Sequence, residues 1–300
     1  MRELSVILVN MIAAGTPILY ALLGDMVSQR AGVISLSVEG SMLVGACIGF
    51  GVAYSTNSMI LATLAAMLAG GLVGLIQVID RKTNMMASGF VLMFLAQGLT
   101  AFYGRNLLGV TFRKSLTYAI PGLCKLPLIG SALFNQDILT YLSFLLPVIV
   151  WWILTKTRLG LLVCSVGEQP EVTRAYGYNP RLLQYGAVVF AGVLAGIGGA
   201  QMSCIYTLGW ANDMINGRGF IASALVILCS WKPLRAYMAA YLFGLAQALI
   251  VYLQVKGVAI SMYFTMMLPY LLTLAALAVI STSKKPSMPE KIKVVSTGME

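Results

Sequence analysis

VGEQPEVTRAYGYNP, from Val166 to Pro180, holds two of the chain's ten acids and one of its twenty bases, yet it lies between two long apolar segments. The whole chain of 300 residues is 59% hydrophobic and only 10% charged, where an ordinary soluble domain carries roughly a quarter charged residues. Such a composition belongs in lipid, and a polar stretch within it must emerge from the bilayer. Apolar runs recur from end to end at close to the ~17–25 residues that a helix needs to cross the hydrocarbon core. Hydropathy places them near 4–24, 38–56, 58–79, 85–104, 138–155, 182–205, 219–231, 236–254 and 261–281. The fold class expected is therefore all-α, a polytopic transmembrane helical bundle of eight to ten spans over residues 1–281. Segment 219–231 is short and 38–56 is rich in glycine, which makes both candidates for broken or re-entrant helices. The first segment is long, its leading Arg2 and Glu3 cancel, and another span follows, so it reads as a retained helix rather than a signal peptide.

Lys and Arg placement orients the bundle. With loops 25–37, 80–84, 156–181 and 232–235 and the basic tail 282–300 in the cytoplasm, that side holds thirteen of the twenty bases, as positive-inside bias requires. The N-terminus is then outside and the C-terminus cytoplasmic. The pair EGSMLVGACIGF and ATLAAMLAGGLVGLIQ faintly resembles RGFIASALVILC and AYMAAYLFGLAQALIV, and the two copies start on opposite sides, the pattern of an inverted repeat. Glycines at Gly70, Gly71, Gly74, Gly192, Gly196, Gly198 and Gly199 let helix backbones approach closely.

Several function classes fall away. The formal charge is +10, but the bases sit in short loops and the tail, where anionic headgroups account for them and no nucleic-acid module exists. No histidine is present, which removes His-based acid–base catalysis, His-metal ligation and Ser-His-Asp triads. The five cysteines show no CxxC spacing and read as small apolar packers. No catalytic or metal-binding residues are expected. The phosphate-cradling G-x-x-x-x-G-K-[ST] loop is also missing.

The opening stretch has the grammar of a short helix outside the bilayer. Gly167 and Gly177 bracket EQPEVTRAY, with Glu168 and Glu171 near its start, Pro170 in a first-turn position and Arg174 near its end. That order complements a helix dipole, and Gly177 suits a left-handed C-cap. A helix of two to three turns places Val172, Ala175 and Tyr176 on one apolar stripe. Its charge pattern is a poor match for a membrane surface, which prefers a broad apolar face opposite a basic one. A protein partner suits it better.

These residues carry a resemblance. GEQPEVTRAYGYN is similar to the G-E-x-P-x-A-A-x-x-x-G-I loop of ABC importer permeases, whose short coupling helix docks on an ATPase subunit. RAGVISLSVEGSMLVGA, from Arg30, resembles the R-A-G-x-x-N-L-G-x-E-G-x-M-L-x-G-A stretch of the branched-chain amino acid, ribose and nucleoside permease superfamily, especially its nucleoside-type members linked to basic membrane proteins. RGFIASALVILCSWKPLRAYMAAYLFG and MLPYLLTLAALAV resemble later stretches of the same family. Departures stand at Ser35 and Ser37, at Thr173, at Cys229–Ser230 and at Met93. The resemblance implies an importer permease fold in a bacterial or archaeal cytoplasmic membrane. It also implies a cytoplasmic ATPase subunit holding ATP and Mg, a second permease subunit, identical or not, and an extracytoplasmic solute-binding protein. No cofactor is expected in this chain. The solute implied is nucleoside-like or sugar-like; a branched-chain amino acid permease and an ion-coupled carrier are the alternatives, and an intramembrane enzyme using Glu39, Asp213 and Arg218 is a distant rival.

Polar residues within the spans complete the candidates. Glu39 reads as a cap or anchor for a re-entrant helix, or a partner of Arg30, and with Asn84, Ser88, Gln97 and Gln201 it forms the set of candidates for a solute path. Asn212, Asp213 and Arg218 mark a polar outer loop suited to receiving a solute-binding protein.

Overall fold

The computed structural model describes residues 2–79, 85–111, 117–119 and 133–256, with 267, 270, 271, 273–275 and 278 beyond them. In chain order its helices are α1 (Arg2–Arg30), α2 (Ser37–Thr56), α3 (Met59–Ile79), α4 (Met85–Tyr103), α5 (Ile138–Lys156), α6 (Arg158–Glu168), α7 (Pro170–Ala175), α8 (Pro180–Gln201), α9 (Arg218–Leu228) and α10 (Ala236–Val255). Seven of them, α1 to α5, α8 and α10, are long and apolar enough to cross a membrane, and α9 is a shorter apolar helix. The protein is a multi-pass membrane protein. Most of the expected last span, 261–281, lies outside the described residues, as do loop 80–84 and the tail.

Helix α8 is the axis of the bundle, and its small residues explain why. A Cβ at Gly45 of α2 would stand 2.5 Å from the Gly196 carbonyl oxygen, and one at Gly49 would stand 3.0 Å from Ala200 Cβ, so α2 and α8 run parallel. Gly70 and Gly74 of α3 meet Gly192 and Val188 in the opposite order, and Gly24 of α1 meets Ala191 while Pro17 meets Gly198. Thus α1 and α3 are antiparallel to α8. Lipid is as apolar as leucine, so close backbone packing rather than a hydrophobic drive holds such helices together. The large side chains face outward accordingly: Ile60, Leu64, Leu68, Leu72 and Leu75 form an exposed stripe on α3. Helix α10 completes the set, running antiparallel to α1 with Gly244 against Met11 and Gly15, and Lys256 Nζ lies 2.5 Å from Glu3 Oε1.

Outside the spans, strands β1 (Thr117–Ala119) and β2 (Asn135–Asp137) pair antiparallel. Asp137 then caps α5, accepting from Thr140 N at 3.0 Å and Thr140 Oγ1 at 2.8 Å.

The structure corrects three expectations. Helix α1 does not stop near residue 24; it runs to Arg30 and carries Asp25 and Gln29 into the buried interior. Helix α2 is an unbroken helix of 20 residues, so its glycines serve packing rather than a break. Helix α9 has 11 residues, about 16 Å or half a hydrocarbon core, the short element expected there, whereas α2 is nearly twice as long. The two proposed repeat copies therefore open with elements of very different length.

Candidate functional site

The polar stretch folds as two helices instead of one. Thr157 caps α6, its Oγ1 accepting from Gly160 N at 3.2 Å, and α6 continues through Gly167 to Glu168. Gln169 then adopts an extended conformation and α7 begins at Pro170, with Glu171 in its first turn and Arg174 in its last. Gly177 follows at φ +83°, the left-handed geometry of a helix end that glycine tolerates best. Gly167 and Glu168 thus belong to the preceding helix, a correction to the single helix expected. The break follows from proline: the residue before it is driven out of the helical region. Gly167 is buried where α6 crosses the end of α1, because a Cβ there would collide with the Arg30 carbonyl oxygen. Glu168 is exposed.

A buried threonine fixes α7. Thr173 is 1% exposed and its Oγ1 lies 2.8 Å from Ser165 Oγ of α6. Val172, Ala175 and Tyr176 are left facing outward, with Tyr176 78% exposed. On α6, burial holds the Cys164 thiol above its ordinary range, with nearby Arg30 pulling it down and Glu168 pushing it up.

Glu39 and Arg218, 179 positions apart, are brought together at the point where α2 and α9 both begin. Glu39 is 5% exposed; its Oε1 accepts from Gly217 N at 2.8 Å and its Oε2 from Gly219 N at 2.6 Å. The carboxylate therefore satisfies the first amides of α9, which cannot find water at this depth. Arg30 is engaged elsewhere, donating from Nη2 to the Trp231 carbonyl at 2.9 Å, so the alternative pairing of Glu39 with Arg30 does not form. Arg218 is not part of the exposed loop either. It opens α9, donates from Nη2 to Gln247 Oε1 at 3.0 Å, contacts Met202 Sδ and lies 5.6 Å from the Tyr206 ring centre. Asn212 and Asp213 are exposed.

The other path candidates do not gather into one cluster with Glu39. Ser88 and Gln97 are half-buried on α4, Asn84 lies outside the described residues, and Gln201 ends α8 at 0% exposure. Neither polar atom of Gln201 has a hydrogen-bond partner among the described residues. The next residues, Met202–Tyr206, form a π-helical turn, a departure that frequently sits at functional sites. Beside α9 a cavity of about 670 Å³ is lined by Gly217, Phe220, Ala224, Met267, Tyr270 and Thr273, among others.

Residues 7–277 match the family described as branched-chain amino acid transport system / permease component. The chain belongs to this family. A Haloferax volcanii protein named provisionally as a glucose ABC transporter permease is 39% identical over 245 residues, 79% of this chain and 74% of its own. The guanosine ABC transporter permease protein of Bacillus subtilis is 32% identical over 91% of each chain. A nucleoside ABC transporter permease protein of Lactococcus lactis is 29% identical over 92% of each. No solved structure matches the chain.

In this permease the structure also shows polar contacts that sequence reasoning did not anticipate. Ser35 Oγ and Ser37 Oγ donate to Gln77 Oε1 at 2.7 and 2.6 Å, at the start of α2. Trp231 Nε1 donates to Gln29 Oε1 at 2.9 Å, and Gln29 Nε2 to Asp25 Oδ2 at 2.7 Å, joining α1 to the end of α9. Gln247 and Gln77 are single amides in otherwise apolar runs, a signal that hydropathy windows average away. Hydropathy alone leaves Asp25 in loop 25–37, because the first apolar run stops at residue 24, whereas α1 carries it into the interior.

Proposed function

We propose that this permease is the membrane-spanning subunit of an ATP-driven importer that moves a nucleoside-like or sugar-like solute across the cytoplasmic membrane. One observation carries the reading: α7 is a capped helix of 6 residues, pinned from behind by Thr173 and offering Val172, Ala175 and Tyr176 outward. An apolar edge on a rigid mount suits a groove in another protein. ATP and Mg belong on that partner, a cytoplasmic ATPase, since this chain carries no Walker loop. A differential contact of the ATPase with two states of α7 would shift the spans between inward and outward access. A second permease subunit would sit against the exposed apolar faces, and a solute-binding protein against the face carrying Asn212 and Asp213.

The solute reading rests on the names of the relatives, which include nucleoside, guanosine and glucose permeases. Proton coupling through Glu39 is disfavoured because both of its oxygens already accept backbone amides. The test is co-expression with a candidate ATPase subunit that carries the Walker motifs this chain lacks. Ala175→Arg should abolish co-purification and solute-dependent ATP hydrolysis in proteoliposomes while the permease still inserts; normal values of both would reject the coupling role. Uptake of labelled guanosine against glucose in the same vesicles then decides the solute class.

A further inference from the structure

On the face where α6 and α7 emerge, a pocket of about 500 Å³ opens between the end of α5, Cys164 of α6 and the turn after α9. That volume is typical of small-ligand sites, roughly 300–1,000 Å³. Its polar character comes chiefly from three cations, Arg30, Lys232 and Arg235, and no acid lines it. The one ion pair among the described residues joins Glu3 and Lys256, at the opposite face, so none of these three cations is ion-paired among the described residues. Arg30 is held in place: the Trp231 carbonyl accepts from its Nε at 3.3 Å and its Nη2 at 2.9 Å. Trp231 is held in turn through its indole N–H on Gln29. Lys232 and Arg235 are exposed at the rim.

Three cations with no acid in the pocket lining, one of them oriented in advance, call for an anion with several acceptor oxygens. We propose that this pocket binds the phosphate of an anionic phospholipid headgroup. Three features favour a lipid over a soluble phosphate. Trp151 and Trp231 line the pocket, as tryptophans do at the level of headgroups. Trp152 beside it is 56% exposed and Leu234 in its wall 45% exposed, leaving an apolar border along which acyl chains can lie. Basic pockets between spans on the positively charged side are suited to anionic headgroups. Bound there, a lipid ties α1, α5 and the turn after α9 together next to the mount of α7. The site owes nothing to the nature of the solute.

The test uses the full-length chain, freed of lipid in neutral detergent and titrated with phosphatidylglycerol or phosphatidylcholine, with bound lipid counted by native mass spectrometry. Phosphatidylglycerol should bind preferentially. The Lys232→Ala/Arg235→Ala double variant should lose roughly thirtyfold in its affinity, at about fivefold for each charge. Both side chains are exposed, so the variant keeps its fold, and Arg158→Ala/Arg181→Ala removes two exposed cations outside the pocket as the control. Retention of phosphatidylglycerol under millimolar inorganic phosphate supports the lipid as ligand; displacement by phosphate overturns it in favour of a soluble anion. Equal binding of the two lipids, or equal losses in both double variants, would overturn the site altogether.

Discussion

At the scale of single residues, Glu39 shows how a charge can be tolerated at membrane depth. Its two oxygens replace the water that the first amides of α9 lack, and the helix dipole favours a negative group at that end. Glu39→Ala should therefore lower the unfolding free energy by roughly 3 kcal/mol, since it strands two buried donors. Detergent unfolding followed by circular dichroism measures it; a loss within error of wild type would show that α9 is capped some other way. Glu39→Gln, which keeps one acceptor, should lose about half as much. Cys164 offers a test in pH. The thiolate is the reactive form and burial raises the pKa above the ordinary value of 9.0. Its labelling by an impermeant maleimide should be slow at neutral pH and still rising where an exposed thiol has levelled off. A plateau at or below the ordinary value would contradict the burial of Cys164.

At the scale of elements, α7 is too short to be stable alone, for isolated helices below about 12 residues are marginal in water. It exists because Pro170 presets its first turn, Gly177 ends it, and Thr173 and Ser165 share a hydrogen bond. Gly177→Val should cost about 1–2 kcal/mol locally by forcing a branched side chain to positive φ. Its expected readout is faster proteolysis between α7 and α8 with insertion unchanged, whereas wild-type resistance would mean that α7 is held without its cap. Thr173→Val, which breaks the link to α6 at nearly constant volume, should weaken binding of the ATPase without touching the outward surface of α7. Undiminished co-purification would show that α7 does not need its mount.

At the scale of the whole molecule, assembly depends on backbone contact around α8. Gly196→Leu would drive a side chain against Ala66 and Gly70 of α3, and should cost roughly 3 kcal/mol or more, enough to block folding. Leu68→Ala, on the lipid-facing stripe of α3, should be nearly silent in the same unfolding assay. Comparable losses in both would refute the central place of α8. Much of this was legible in the amino acids alone. Composition determined the membrane, hydropathy the seven long spans among the described residues, and proline, glycine and charge order the presence of a helix near residue 170. Local rules suffice there, because in lipid each helix must satisfy its own backbone and so declares itself in its own residues. Tertiary structure decided what depends on distant partners. Gly167 went to α6 because its backbone meets Arg30, Arg218 left the loop for Gln247 and Tyr206, and Glu39 found the start of α9 across 178 residues of chain. Single polar residues within apolar runs carry no periodicity that names their partners, so only the packing of one span against another could show which groups they serve.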